Sequence, residues 1–449
     1  MKTDILIIGG GPVGITVTKT LKKLDQSIDI TMLRPEDNSV IYCAIPYVIE
    51  GLMDIDKIKK KDELVTGTGA RLIRDKAIST DFNNKMITTK TGETLKYNRL
   101  IIATGASPIL PPIPGIDKKN IFTVKTIEDT KKILDSLGPC DGKAVVVGAG
   151  AIGIEQALAY RSRGIKTVLI DMATHPLPNM LDKDFGEIAK TELLSEEIDV
   201  RLNVSVKSLV GKDFVEKVIL SDDSSISLDT GKDFVVFAVG MRPNIELFKD
   251  SGLEIAKDGI IVNEKMETNI KDVYAAGDVV SFHSFIDRKN LSGKLATNAV
   301  PMGKVLARNI LGKKSIYDGF INGAATVVGK KRFGGTGFTS ELAKKRGFDI
   351  LIGYGETTSR FPIMPDAKTL HVKIISDIKG NIIGGQVVGS EAVAERIDVI
   401  STFIQNKLNV YDMSKLSYSA QPWQTFFPAR NAIVQAAEEI IDKLENIKQ

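Results

Sequence analysis

One pattern constrains this chain more than any other, because it occurs twice: an apolar run, three glycines in G-x-G-x-x-G spacing, a helix-like segment and a second apolar run. The first copy passes from Ile5-Leu-Ile-Ile8 through Gly9, Gly11 and Gly14 to Ile28–Leu33. The second passes from Lys143-Ala-Val-Val-Val147 through Gly148, Gly150 and Gly153, then a helix to Arg161 and a strand over Thr167–Ile170. An unbroken apolar strand is one covered on both faces, as in a parallel sheet. In such a turn the first glycine makes the tight bend, the second admits a pyrophosphate against backbone, and the third lets the helix pack on the strand. The second copy ends at Asp171, placed to bond a ribose diol and repel a 2′-phosphate, so NADH is expected over NADPH. The first copy has Leu33 and Arg34 where that acid would stand, with Glu36 and Asp37 slightly late. Two copies imply two dinucleotides, and the economical pair is a flavin with a nicotinamide.

The length of 449 residues predicts two to four domains, and 43% hydrophobic residues suffice for packed cores. Sixty Lys and Arg face 56 Asp and Glu, and the basic residues are scattered. Lys57–Lys61 and Lys330–Arg332 read as solvated faces, so no nucleic-acid partner is expected. The apolar run Ile5–Ile8 is too short for a signal segment, and no run has the length of a membrane span. Two cysteines argue against a disulfide framework and fit a reducing cytoplasm. His175, His283 and His371 show no metal-ligand spacing.

Of the cysteines, Cys43 in Ser39-Val-Ile-Tyr-Cys-Ala-Ile-Pro-Tyr47 stands where sulfur chemistry is useful. Pro46 suits the first turn of a helix that begins just after Cys43. Backbone N–H groups and the positive dipole end would then lie beside the sulfur and favour thiolate. Cys140, in Gly138-Pro-Cys-Asp-Gly142, reads as an incidental loop thiol. Leu100–Pro108 reads as a strand, a Thr-Gly turn and a proline-rich exit toward another domain. Asp233–Asn244 is an apolar strand running into glycine, and Val273–Val279 presents Asp278 near its end. From about residue 325 the pattern changes to period-2 strands (369–375, 382–388) and helices (391–407, 428–446), an α+β segment in which Trp423, Phe426 and Phe427 are expected in the core.

The strings Gly9/Gly11/Gly14, Ala103-Thr-Gly105, Gly148/Gly150/Gly153 with Glu155, Ala238-Val-Gly240 and Ala276-Gly-Asp278, in this order, resemble the flavin-dependent pyridine nucleotide-disulfide oxidoreductases. The resemblance implies an α/β chain with two Rossmann-like dinucleotide-binding domains and a C-terminal α+β dimerisation domain. It places FAD on residues 1–112 and 247–325, NAD(H) on 113–246, and a homodimer interface on 326–449. It implies that Asp278 holds the ribityl chain, that Ala77, Thr104 and Ala299 lie along FAD, and that Arg34, Gly105 and Gly240 belong to the cofactor sites.

Members with an internal disulfide carry a C-x-x-x-x-C pair, which Cys43 lacks, so the match is to the single-cysteine branch: coenzyme A disulfide reductases, persulfide reductases, NADH oxidases and peroxidases. That branch's S-F-x-N-C-x-x-P-Y corresponds to Ser39, Cys43, Pro46 and Tyr47, with Tyr42 in place of Asn. The tyrosine that often gates the nicotinamide pocket falls at Ala151. The histidine of peroxide-handling members falls at Pro12, which cannot hydrogen-bond a sulfenic acid or peroxide, and this points away from peroxidase activity. Tyr418 survives from an altered C-terminal signature and, by resemblance, reaches toward the other subunit's Cys43.

The expected chemistry is hydride transfer from NADH to FAD and onward to Cys43, which stores oxidation as a mixed disulfide or a sulfenic acid. Ser39 and Tyr42 are expected at the substrate, Tyr418 as proton donor to the departing thiolate, and Lys19, Lys22 and Lys23 as partners for coenzyme A phosphates. Two alternatives stand beside this: an NADH oxidase with oxygen as acceptor, and a flavin electron-transfer or redox-sensing protein.

Overall fold

Strand β1 (Lys2–Ile8) alternates at Lys2–Asp4 and is buried on both faces from Ile5 onward, which only a central strand of a covered sheet permits. Its parallel neighbours are β2 (Ile30–Leu33) and the strand Thr94–Ile102. The sheet order is Arg71–Ile73, β2, β1, Thr94–Ile102, Met86–Thr89, Ala77–Asp81, with Val273–Ala275 joining Thr94–Ile102 in parallel. Helix α1 (Pro12–Leu24) has Pro12 in its first turn and buries Val13, Val17 and Leu21; it packs on the helix Ala296–Ile310. Each fully buried Ile or Leu of this core, such as Ile7 and Leu21, stabilises the fold by about 1.5–3 kcal/mol. The predicted strand Ile28–Leu33 begins two residues later, at Ile30, after a turn at Gln26–Ser27; the Asp29 carbonyl before it already accepts from Ile5 N of β1.

Register decides where the ligand end lies. Ile8 is opposite Leu33 and Ile102, and Ile102 is opposite Ala275. Gly9, Ala103-Thr104-Gly105 and Ala276-Gly277-Asp278 therefore leave the sheet at the same end, the carboxyl ends of parallel strands, where open α/β sheets bind ligands.

The structure is a computed structural model that describes residues 1–137 and 141–448, so Cys140 lies outside the described residues. The chain divides into two units. The first holds Met1–Ile109, Lys125–Thr130 and Gly240–Phe320; the second holds Leu110–Val124, Lys131–Val239 and the chain from Ile321 onward. The junctions expected near residues 112, 246 and 325 thus lie a few residues beyond these breaks, and most of 113–246, without 125–130 and 240–246, shares one unit with the C-terminal segment.

The second unit has a five-stranded parallel sheet in the order Ile121–Thr123, Phe234–Phe237, Lys143–Val147, Lys166–Ile170, Asp199–Arg201. Its C-terminal part is a five-stranded antiparallel sheet, Ala324–Val328, Lys331–Gly337, Ile382–Gly389, Thr369–Asp377, Ile350–Thr358, covered by helices Val393–Gln405 and Ala432–Lys448. The expected helix 428–446 is interrupted: a single 3-10 turn, Pro428–Arg430, precedes it. Lys373, on the C-terminal sheet and 2% exposed, lies 3.1 Å from Asp182 and also pairs with Asp184, at the start of the helix Lys183–Ser195. That charge cluster ties the parallel-sheet and antiparallel-sheet parts of the unit. Phe426 is buried at 7% as expected, but Trp423 and Phe427 are about half exposed rather than core. Among the described residues no helix is long and apolar enough to cross a membrane, and no group of His, Cys, Asp and Glu could hold a metal ion.

Candidate active site

In both glycine turns the sequence dictates geometry that no other residue allows. Gly9 has φ +116° and Gly148 +112°, and a Cβ on them would lie 2.1 Å from Ala103 O and 2.5 Å from Ala238 O. A Cβ on Gly14 or Gly153 would strike the carbonyl of Gly9 or Gly148 at 2.2 or 1.8 Å, whereas beside Gly11 and Gly150 nothing lies within 4 Å. The helices that follow, α1 and Ala151–Ser162, have glycine N-caps without a side-chain cap and no acidic residue in the first turn. Their leading N–H groups are thus uncapped by side chains, and each turn offers open space and a positive dipole end to an anion. Both cradles fit a dinucleotide pyrophosphate.

Around the first cradle, the Thr104–Gly105 turn is laced to Asn244. Thr104 Oγ1 donates to Asn244 O at 2.9 Å, and Asn244 Nδ2 donates back to Thr104 O at 2.9 Å. Gly105 and Gly240 take φ of +69° and +113° beside this lacing. A Cβ on Gly277 would lie 3.5 Å from Ala299 Cβ and 2.6 Å from Val13, so Ala299, the Gly277–Asp278 turn and the start of α1 converge. Ala77 is 8% exposed in the strand Ala77–Asp81. Arg34 is buried against Gly10 and spends its guanidinium on the carbonyls of Glu36 and Asp37 and on Asp62 at 2.8 Å. It therefore shapes the loop after β2.

Burial pushes the Asp278 carboxyl up, against the pull of Lys125 and Lys294. Lys294 Nζ donates to Asp278 O at 2.8 Å, and Lys125 Nζ stands 3.9 Å over the Tyr42 ring. Burial, then Glu36 and Asp278, push the Tyr42 hydroxyl up to about 12, so it stays protonated at neutral pH. Cys43 follows directly, exposed and free, in a 3-10 turn Tyr42–Ala44. The α-helix expected just after Cys43 begins at Ile45: α2 (Ile45–Glu50) is six residues long, with Pro46 in its first turn.

Residue 43 is presented by a two-stranded ribbon, β3 (Ser39–Val40) with β4 (Lys59–Lys60), in which Ser39 is opposite Lys60. Ser39 is 5% exposed and its Oγ has no partner among the described residues. Burial lowers the Lys60 ammonium while the Cys43 sulfur raises it, which sets a cation in electrostatic reach of the thiol. Lys60 belongs to the run Lys57–Lys61 expected to be a solvated face; only its pairing with β3 distinguishes it. Of the lysines expected at coenzyme A, Lys19 is exposed on α1. Lys22 is a correction: it is 7% exposed, and its ammonium donates to Gln26 O at 3.1 Å, closing the end of α1.

In the second unit Asp171 follows the strand Lys166–Ile170; it accepts from Ala149 N through Oδ2 and from Ala173 N at 2.7 Å through Oδ1. The carboxylate thus holds the glycine turn and retains lone pairs for a ribose. Glu155, two residues past Gly153, is pushed up by burial, against the hydrogen bond that Thr326 Oγ1 donates at 2.8 Å. Thr326 carries no motif and was not legible in the sequence. Tyr418 is 42% exposed and donates to Pro428 O at 2.6 Å. His371 stands 3.4 Å from Glu356 across the sheet.

The sequence profile of the pyridine nucleotide-disulphide oxidoreductases matches residues 3–303, and that of their dimerisation domain matches 324–425. An NADH oxidase of Methanocaldococcus jannaschii is 36% identical over 98% of this chain and 99% of its own. A CoA-dependent NAD(P)H sulfur oxidoreductase of Pyrococcus abyssi is 31% identical over 92% of this chain and 93% of its own. The solved structure of a NAD-dependent persulfide reductase from A. fulgidus has a TM-score of 0.93 at 27% identity, covering 100% of this chain and 84% of that one. Reduced Bacillus anthracis CoADR-RHD likewise has a TM-score of 0.93 at 26% identity, covering 99% of this chain and 81% of that one.

Proposed function

The chain belongs to the pyridine nucleotide-disulphide oxidoreductase family, and from that premise we propose that it reduces a small disulfide or persulfide of the coenzyme A type through Cys43. It is an FAD-dependent NAD(P)H oxidoreductase. The observation that carries the sulfur reading is that the free Cys43 follows Tyr42, which stands in the field of Asp278 and under the Lys125 ammonium at the ligand end of the first sheet.

Bound FAD supplies a two-electron relay between the nicotinamide hydride and sulfur. The first glycine turn, Asp278, Thr104 and Ala299 would hold it; the second turn and Asp171 would hold NADH, with Asp171 disfavouring a 2′-phosphate. Cys43 thiolate attacks one sulfur of the disulfide, forms a mixed disulfide and releases the first thiolate. Two electrons and one proton then return Cys43 as thiolate and release the second thiol. In sum, one NADH, one disulfide and one proton give NAD+ and two thiols. Lys60 sets a cation in electrostatic reach of the attacking sulfur, and the partnerless Ser39 hydroxyl offers a hydrogen bond to the substrate. Lys19 offers a cation to its phosphates.

The dimerisation profile on 324–425 and the exposed Trp423 and Phe427 support a homodimer through the C-terminal part. There Tyr418 would give its proton to the leaving thiolate of the partner site. The need for a free thiol favours a cytoplasmic setting.

Steady-state turnover tests the reading. NADH oxidation with coenzyme A disulfide or persulfide should exceed that with oxygen alone, and Cys43→Ser should take it to background while NADH still bleaches the flavin. Oxygen consumption that outruns both sulfur substrates would instead establish an NADH oxidase, the activity named for the M. jannaschii relative.

A further inference from the structure

The segment Lys125–Thr130 packs with the first unit, although the chain on both sides of it belongs to the second. Its start is locked: Lys125 N and Thr126 N donate to Asp129 Oδ2 at 3.1 and 3.0 Å, and Asp129 N donates to Thr126 Oγ1 at 3.0 Å. This is a reciprocal cap, and it fixes where the Lys125 side chain departs. The ammonium ends 3.9 Å over the Tyr42 ring and within the field of Asp278. It has three donors and, among the described residues, no hydrogen-bond acceptor and no ion pair. A half-buried cation held by a π face and a more distant carboxylate gains from an anionic group that completes its shell.

The reaction makes such a group. Hydride brings two electrons and one proton, so the reduced flavin carries one more negative charge than the oxidised ring. When a mixed disulfide at Cys43 is cleaved, the two electrons and the proton leave with it, giving one neutral thiol and one Cys43 thiolate. The negative charge therefore alternates between the flavin and Sγ of Cys43, the residue that follows Tyr42, over whose ring Lys125 sits.

We propose that Lys125 is the charge-compensating residue of this relay, a positioning cation that holds the flavin potential up and stabilises the Cys43 thiolate in turn. The inference rests on residues 3–303 binding flavin. If that fails, the purified protein is colourless whichever residue stands at 125; if only the inference fails, wild type and variants are yellow and share one potential.

The test compares FAD-loaded wild type, Lys125→Met and Lys125→Arg by dye-equilibrated reductive titration. Lys125→Met should lower the ratio of reduced to oxidised flavin at fixed poise by tenfold or more, which is about 30 mV for a two-electron couple. It should also weaken the long-wavelength absorption of the thiolate-flavin pair, and Lys125→Arg should restore both. An unchanged potential in Lys125→Met, or an equal loss in Lys125→Arg, overturns the proposal. If Lys125→Met does not retain FAD, the pair Tyr42→Leu and Tyr42→Phe decides. Removing the ring face should shift the potential downward, keeping it should not, and identical potentials contradict the inference.

Discussion

Asp171 shows how much one carboxylate is asked to do: its two oxygens hold backbone N–H groups of Ala149 and Ala173, and on the proposed reading they also bond a ribose. A hydrogen bond to a charged group is worth about 1.5–3 kcal/mol. Asp171→Ala should therefore raise the KM for NADH about 10- to 100-fold and narrow the preference over NADPH, measured as the two kcat/KM values. At this scale, legibility followed local spacing. The bends of the two glycine turns and the helix start beside Cys43 were readable because the residues that make them are neighbours in sequence. Lys60, Lys125, Asn244 and Thr326 were not, since each reaches its partner through a strand pairing or a packing contact that no short pattern records. Lys22 misled for the opposite reason. A helix lysine reads as solvated, but the end of α1 has open carbonyls, and Gln26 takes the ammonium.

Among the elements, the two strand-turn-helix units are proposed to carry the dinucleotides, and on that reading they fail separately. Gly148 takes φ +112° with Ala238 O at 2.5 Å from any added Cβ, and strain of this kind costs on the order of 1–3 kcal/mol. Gly148→Ala should weaken NADH binding about 5- to 100-fold while the flavin stays bound, as a visible spectrum and an NADH titration will show. Loss of flavin instead would contradict the assignment of the second turn to NADH. Strand positions were readable to within a residue or two, since an apolar run set off by glycine leaves little choice, as Lys143–Val147 after Gly142 and Lys166–Ile170 after Gly164 show. The short ribbon Ser39–Val40 with Lys59–Lys60 was not, because two-residue strands have no period.

For the molecule as a whole, the contacts that join its parts carry no sequence signature. The C-terminal sheet and the second nucleotide-binding sheet belong to one unit, joined by Lys373 with Asp182 and Asp184. Nothing in three charges dispersed over 190 residues of sequence announces a buried cluster. Burial pulls the Lys373 ammonium down, but Asp184 and Asp182 more than reverse it, leaving it raised. Burial pushes Asp184 up, and Lys373 more than reverses that, leaving it lowered. The lysine's contribution is complete below its unfolded pKa and is lost as pH rises through its raised value. The aspartate's contribution is complete above its unfolded pKa and is lost as pH falls through its lowered value. Thermal stability should therefore hold through neutral pH and fall in strong acid and strong alkali. Lys373→Met should cost about 3 kcal/mol, the lower end for breaking a buried pair because Asp184 is partly solvated, and should lower Tm at pH 7 by several degrees. An unchanged Tm would remove the cluster from the account of how this unit holds together.

The account stands on Cys43 as the atom through which electrons leave the flavin, and an anaerobic titration tests it most directly. Enzyme treated with coenzyme A disulfide and then desalted should take up one more equivalent of NADH than the Cys43→Ser variant before the flavin stays bleached, and should release one coenzyme A thiol per subunit. Equal uptake by the two proteins, with no thiol released, would contradict it.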